Sequence, residues 1–209
     1  MTLRASIWST GFVCLVVLFI SAGDTPANKD DTNRSESATF DALETMPTPT
    51  PSSEVREILG EARRYWGLEY RWGGRATEKN PGMDCMGLVF RAYATAYDER
   101  WTQYSVLPSK LIASGMVGVP VSRLDGTLSA EVDASLLQAG DVLFFLADGY
   151  EIRDEPLLEL DGNKYWPWHM GIWTGNMVIH AAPGSHVRIQ PLSAIYFDAL
   201  FVTRRVPAH

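Results

Sequence analysis

Apolar residues recur at helical spacing near the start of the ordered-looking sequence. Val55, Ile58, Leu59, Ala62, Tyr65 and Trp66 fall on one face, with Ser53 placed to cap the helix and Gly67 to end it. A second helical pattern runs from Cys85 to about Tyr97, with Leu88, Val89, Ala92, Tyr93 and Ala96 on one side. Ahead of it, Asn80-Pro81-Gly82-Met83 is a loop signal and Asp84 is a preferred N-cap. After a stretch with no clear period, strand-like runs follow at 141–146, 169–174, 177–181, 186–189 and 201–205. Helices first and strands afterwards predict an α+β fold with a mostly antiparallel sheet.

The chain upstream has a different character. Arg4 precedes an apolar run over 11–20 that closes on Ser21-Ala22-Gly23, the pattern of an export signal over 1–23. The wider apolar stretch, 7–22, is short of the roughly 20 residues a spanning helix needs. An uncleaved membrane anchor through 7–22 is the alternative. Residues 24–52 are polar, end in a Thr-Pro repeat and read as a disordered, extended linker. The domain is then expected over 53–209, exported to the periplasm or the extracellular side of a cell envelope.

Composition narrows the classes. The 209 residues are 46% hydrophobic, carry a net charge of −7 and include two cysteines. Two cysteines cannot build a disulfide scaffold. An acidic chain lacks the basic face that a phosphate backbone demands, so no nucleic acid partner is expected. Cys14 lies inside the apolar run, so cleavage would leave Cys85 as the one thiol.

Cys85 is the first candidate for chemistry. In the first turn of a helix, unpaired backbone N–H groups and the helix dipole favour a thiolate and can hold an oxyanion. Asp84 opposes the thiolate, so a base is still needed. Gly175-Asn176 signals a two-residue hairpin turn, which pairs Thr174 with Met177 and puts His180 opposite Gly171. His169, Gly171, Trp173, Val178 and His180 then share one face, with the two imidazoles as diagonal neighbours. Cys85, His169 and His180 supply a nucleophile, a base and an orienting group. The same three could ligate zinc, but a distant cysteine with a His-x₁₀-His hairpin matches no close-spaced zinc pattern. No metal and no cofactor are expected. His186 and His209 have no comparable context.

Five segments in order carry a resemblance: Tyr70-Arg-Trp-Gly-Gly74, Asp84-Cys-Met-Gly-Leu-Val89, Gln138-Ala-Gly-Asp-Val-Leu-Phe-Phe145, His169-Met-Gly-Ile-Trp173 and Ile179-His-Ala181. The series resembles the NlpC-type cell-wall cysteine peptidases, a bacterial branch of the papain-like folds. The resemblance implies a nucleophile-bearing helix packed on a small antiparallel, barrel-like sheet. It also implies hydrolysis of an amide in peptidoglycan stem peptides, commonly the D-glutamate to diamino acid link; the alternatives are an amidase or acyltransferase on another amide substrate, or a catalytically silent wall-binding module. A monomer is expected. Cys85 then matches the nucleophile, His169 the base and His180 the orienting residue. Tyr70 matches an active-site tyrosine, and Asp84 and Trp168 are expected beside the substrate. Asp141 reads as structural. Two departures stand out. Met86 occupies the position of the usual serine, and the acidic segment 147–168, ending in Trp166-Pro-Trp168, is longer than usual. That segment is either a solvated insertion or a lid over the cleft.

Overall fold

The computed structural model describes residues 51–150 and 152–205. The expected signal and anchor region, the linker up to Thr50, Cys14 and His209 lie outside the described residues. Helix α1 spans Ser53–Arg64 and α2 spans Cys85–Ala96. Ser52, not Ser53, caps α1, its hydroxyl accepting from the Val55 N–H, and the helix ends before Gly67. The apolar period carries past the end of α1 because Tyr65 packs on the core from its C-cap position, while Trp66 is exposed. A short helix, α3 (Pro108–Ala113), and a strand, β1 (Val119–Leu128), occupy the stretch without a clear period.

The remaining strands are β2 (Val142–Asp148), β3 (Leu158–Leu160), β4 (Asn163–Trp173), β5 (Val178–Ala181), β6 (Val187–Gln190) and β7 (Ala199–Arg204). They join one antiparallel sheet in the order β1-β7-β2-β4-β5-β6, with β3 paired to β4. The α+β expectation holds. The sheet is open, with β1 and β6 at its ends, rather than closed as a barrel.

Strand β2 explains why the sheet sits at the centre. Its run Val-Leu-Phe-Phe-Leu is fully buried, and alternate residues serve two cores. Val142, Phe144 and Leu146 pack with the apolar faces of α1 and α2. Leu143 and Phe145 pack on the other side with Leu124, Trp173, Val178 and Leu200. Asp141, at the foot of β2, is completely buried and holds Arg204 of β7 through two bonds of 2.6 and 2.8 Å. Its second role is to accept the Gln138 N–H at 2.8 Å, so the Gly140-Asp141 turn is structural, as expected.

Half of the segment 147–168 is sheet. β2 continues to Asp148, and β3 and β4 form a hairpin around Asp161-Gly162. Both turn residues have positive φ (51° and 82°), the geometry that matches the twist of a two-residue hairpin. The strand carrying His169 therefore starts at Asn163 rather than at His169. Pro167 is tolerated there because it sits at an irregularity, where Phe145 pairs with His169 but Leu146 pairs with Pro167. Trp168 is the extra residue of this bulge.

Candidate active site

The start of α2 is built around Asp84. Its carboxylate accepts the Gly87 N–H at 2.6 Å as an N-cap and the Gly73 N–H at 3.0 Å. Arg75 Nη1 donates to the same carboxylate at 2.5 Å and to the Gly74 carbonyl at 2.7 Å. Both charged residues are buried, so the ion pair compensates its own desolvation only through this full set of bonds. Two glycines let the parts approach. A Cβ on Gly74 would lie 2.7 Å from the Met83 nitrogen, and one on Gly87 would collide with the Gly74 carbonyl. Asp84 lines the cleft, but its oxygens are engaged by three intramolecular donors. Arg75, which sequence reasoning passed over, is what holds it.

Cys85 occupies the first helical position, almost wholly buried. The helix start was expected to favour a thiolate; instead the thiol is pushed up to about 12. Burial is the largest cause and the Asp84 charge the next, outweighing the backbone N–H groups of Met170 and Met86 and the charge of Arg75. Tyr70 is half-buried and packs against the core. Burial first, then the neighbouring Cys85 and Asp84, push its phenol up to about 12. It is therefore a neutral hydroxyl beside the sulfur.

The hairpin register is the one read from the turn. Trp173 pairs with Val178 and Ile172 with Ile179, and the Thr174 N–H bonds the Met177 carbonyl at 2.8 Å. His169 and His180 consequently meet, His169 Nε2 lying 2.6 Å from His180 Nδ1. A Cβ on Gly171 would sit 3.3 Å from His180 Cβ and 2.6 Å from a Val178 methyl, so only glycine leaves the second imidazole its place. The bulge turns Trp168 to the same side as His169, and their rings stack at 5.1 Å; Phe145 stacks on His169 at 5.8 Å. The outer nitrogens, His169 Nδ1 and His180 Nε2, are buried without a hydrogen-bond partner among the described residues.

Burial keeps both imidazoles neutral. His169 is lowered to about 3 by burial, then by His180. His180 is lowered to about 4 by burial, with Gln190 opposing. The unfolded chain takes up these protons near pH 6.5 and the folded chain does not, so stability is intact above 6.5 and is lost as pH falls toward 4. Each pH unit costs about 1.4 kcal/mol per excluded proton. Urea midpoints should thus drop steeply between pH 6.5 and 4, and a His180→Gln variant should show a shallower drop.

Cys85 and His169 open onto one cavity of about 370 Å³, together with Trp72, Met86, Trp168 and Met170. Its far wall comes from the stretch ahead of α3, Val106 and Leu107, and from Tyr150, Ile152 and Arg153 after β2. Asp154 fixes that wall. Its carboxylate accepts the Ser109 N–H at 2.8 Å, and its carbonyl accepts the Trp166 indole N–H at 3.0 Å. The cavity thus gathers Cys85, His169, Asp84 and Trp168, with His180 behind His169 and Tyr70 near the sulfur. Trp72 and Tyr150 were not anticipated: an exposed aromatic shows its site only once the loops are placed. His186 is exposed.

Several solved structures align with this chain, all at low identity. A hypothetical invasion protein of Mycobacterium tuberculosis is 19% identical, with 72% of this chain and 61% of that one covered and a TM-score of 0.42. The chain thus spans less than two thirds of that relative. The peptidoglycan hydrolase RipB of the same organism is 20% identical over 74% of this chain and 66% of its own, at a TM-score of 0.45. RipD of M. tuberculosis, described as a non-catalytic NlpC/p60 domain protein adapted to peptidoglycan binding, is 16% identical over 75% and 100%, at 0.40. No curated protein matches the chain. The family model for NlpC/P60 matches residues 67–206, the span that holds Tyr70, the Cys85 helix and the histidine hairpin. Two thirds of the sequence, including every element around the cavity, therefore places this chain in the NlpC/P60 family.

Proposed function

We propose that the chain is an exported cysteine hydrolase that cleaves an amide bond in peptidoglycan stem peptides. The carrying observation is that Cys85, at the first turn of α2, shares a cavity with His169, whose far nitrogen contacts His180 at 2.6 Å. Membership of a family that includes a peptidoglycan hydrolase and a peptidoglycan-binding relative supports the substrate class. The bond we favour is the D-glutamate to diamino acid link. Export through residues 1–23 would bring the domain to the wall.

The resting site is a neutral thiol beside a neutral imidazole. With the shared proton on His169 Nε2 and donated to His180 Nδ1, the bare His169 Nδ1 is free to take the proton of Cys85. That transfer has to accompany attack, because a thiol near 12 is about one part in 100,000 ionised at pH 7. Attack forms a tetrahedral oxyanion, for which the backbone N–H groups near the sulfur are donors. His169 then protonates the leaving amine, a thioester remains on Cys85, and water activated by His169 releases the acid. Asp84 and Arg75 position the helix start, Tyr70 offers a neutral donor, and Trp168 packs the base in its orientation.

Incubating purified peptidoglycan with the full chain and identifying released fragments by mass spectrometry tests the proposal. Fragments with a new D-glutamate terminus are expected. Intact peptidoglycan recovered in complex with folded protein would instead assign the cleft to binding.

A further inference from the structure

The walls of the cleft are more apolar than a polar stem peptide demands. Of the seven large apolar side chains exposed among the described residues, three, Trp72 (83%), Val106 (60%) and Tyr150 (44%), open onto the cavity that holds Cys85 and His169. Met86, Ile152 and Trp168 line the same cavity. Exposed apolar groups scattered singly need no explanation, whereas several converging on one concave site mark a binding surface.

Charge points the same way. Arg75 and Asp84 neutralise each other at the floor, and Asp84 has no oxygen left unengaged by protein donors. Arg153 stands exposed at the rim. A charged group would therefore find a counterion at the mouth and none beside the nucleophile. Met86 deepens the contrast, because it puts a thioether next to the reacting atom where the resembling peptidases carry a hydroxyl. Asp154, next to Arg153, is itself tied to Ser109 and to Trp166, which anchors this side of the cavity to α3 and β4.

We infer that the cleft accepts a bulky apolar acyl group, alkyl or aryl, beside the scissile carbonyl, so that amides and esters of apolar acids are substrates in addition to wall peptides. The inference rests on Cys85 as nucleophile and goes beyond the wall-peptide reading. In the reaction, a bond forms between Cys85 Sγ and the acyl carbon while the bond to the amine or alcohol breaks. The thiol proton passes through His169 to that leaving group. Water then hydrolyses the thioester and returns the proton to sulfur. No other reactant is required.

p-Nitrophenyl acetate and p-nitrophenyl hexanoate, given to the full chain and to Cys85→Ala as the blank, are the probes. Four added methylenes in an apolar site should raise kcat/KM for the hexanoate at least about 10-fold over the acetate, since one buried methylene alone is worth about 4-fold. Trp72→Ala and Val106→Ala, both at exposed positions that the fold does not need, should lower that hexanoate-to-acetate ratio several-fold. Equal rates for the two esters, or a ratio untouched by both variants, would overturn the inference while leaving the nucleophile in place. Absence of any acyl adduct on Cys85 by intact mass, with either ester, would overturn the nucleophile reading and this inference together.

Discussion

Replacing Cys85 by alanine should reduce hydrolysis of peptidoglycan by about 10⁴-fold or more while leaving the protein folded. The asymmetry follows from what the sulfur does. In the proposed pathway it forms the bond that divides one difficult hydrolysis into two steps, and no second thiol and no serine or threonine hydroxyl lines the cavity among the described residues. Structurally it is a small buried group at a helix start whose cap belongs to Asp84 and whose packing belongs to Leu88 and Val89. Losing one sulfur there should cost no more than about 1 kcal/mol. Product release, followed by mass spectrometry, and a thermal melt on the same sample separate the two effects. Turnover close to the parent level would refute the assignment. The raised thiol adds a second signature: alkylation of Cys85 by iodoacetamide should stay slow at pH 7 and keep accelerating past pH 10, with no plateau in the acidic range that a resting thiolate–imidazolium pair would produce.

Arg75→Met should be the costliest substitution for stability, about 3–5 kcal/mol, because it strands the Asp84 carboxylate in a buried site. The loss would be read as a fall in the urea midpoint with an unchanged slope. Activity should fall as well, for two reasons. The Asp84 bonds fix the first turn of α2, and removing the Arg75 cation takes away one of the influences that hold down the thiol, pushing it further up. A double replacement, Arg75→Met with Asp84→Asn, should be milder than the single change, since it leaves no uncompensated charge. A double variant as unstable as Arg75→Met would show that the cap and the Gly73 contact, rather than the charge, dominate.

The parts that could be read in advance are those set by local rules. The α2 start was legible because an N-cap, a loop signal and an apolar period coincide at Asp84-Cys85. The meeting of His169 with His180 was legible because a two-residue turn fixes parity, and parity decides which side chains share a face. Other parts had no local signature. β1 contains Pro120, Arg123 at φ 71° and Gly126 at φ 105°, with two register shifts against β7, so no alternation survives in its sequence. α3 is a six-residue helix started by Pro108, too short to show a period. β4 was read late because Lys164, Pro167 and the bulge at Trp168 disguise its first half. Arg75 could not be assigned at all, since its partner is brought to it by a turn at Gly73-Gly74. The rise of the thiol was only partly legible, because the helix start and the opposing Asp84 charge are visible in a sequence and burial, the largest cause, is not.

β4 carries Trp166, which anchors the roof of the cleft through Asp154, and His169, the proposed base, only three residues further along the same strand. Roof and base are thus parts of a single covalent lever, with the bulge as its fulcrum. Replacing Trp166 by phenylalanine would remove the indole bond to Asp154 from the strand that also carries the proposed base, so the cavity wall and the proton acceptor share one support.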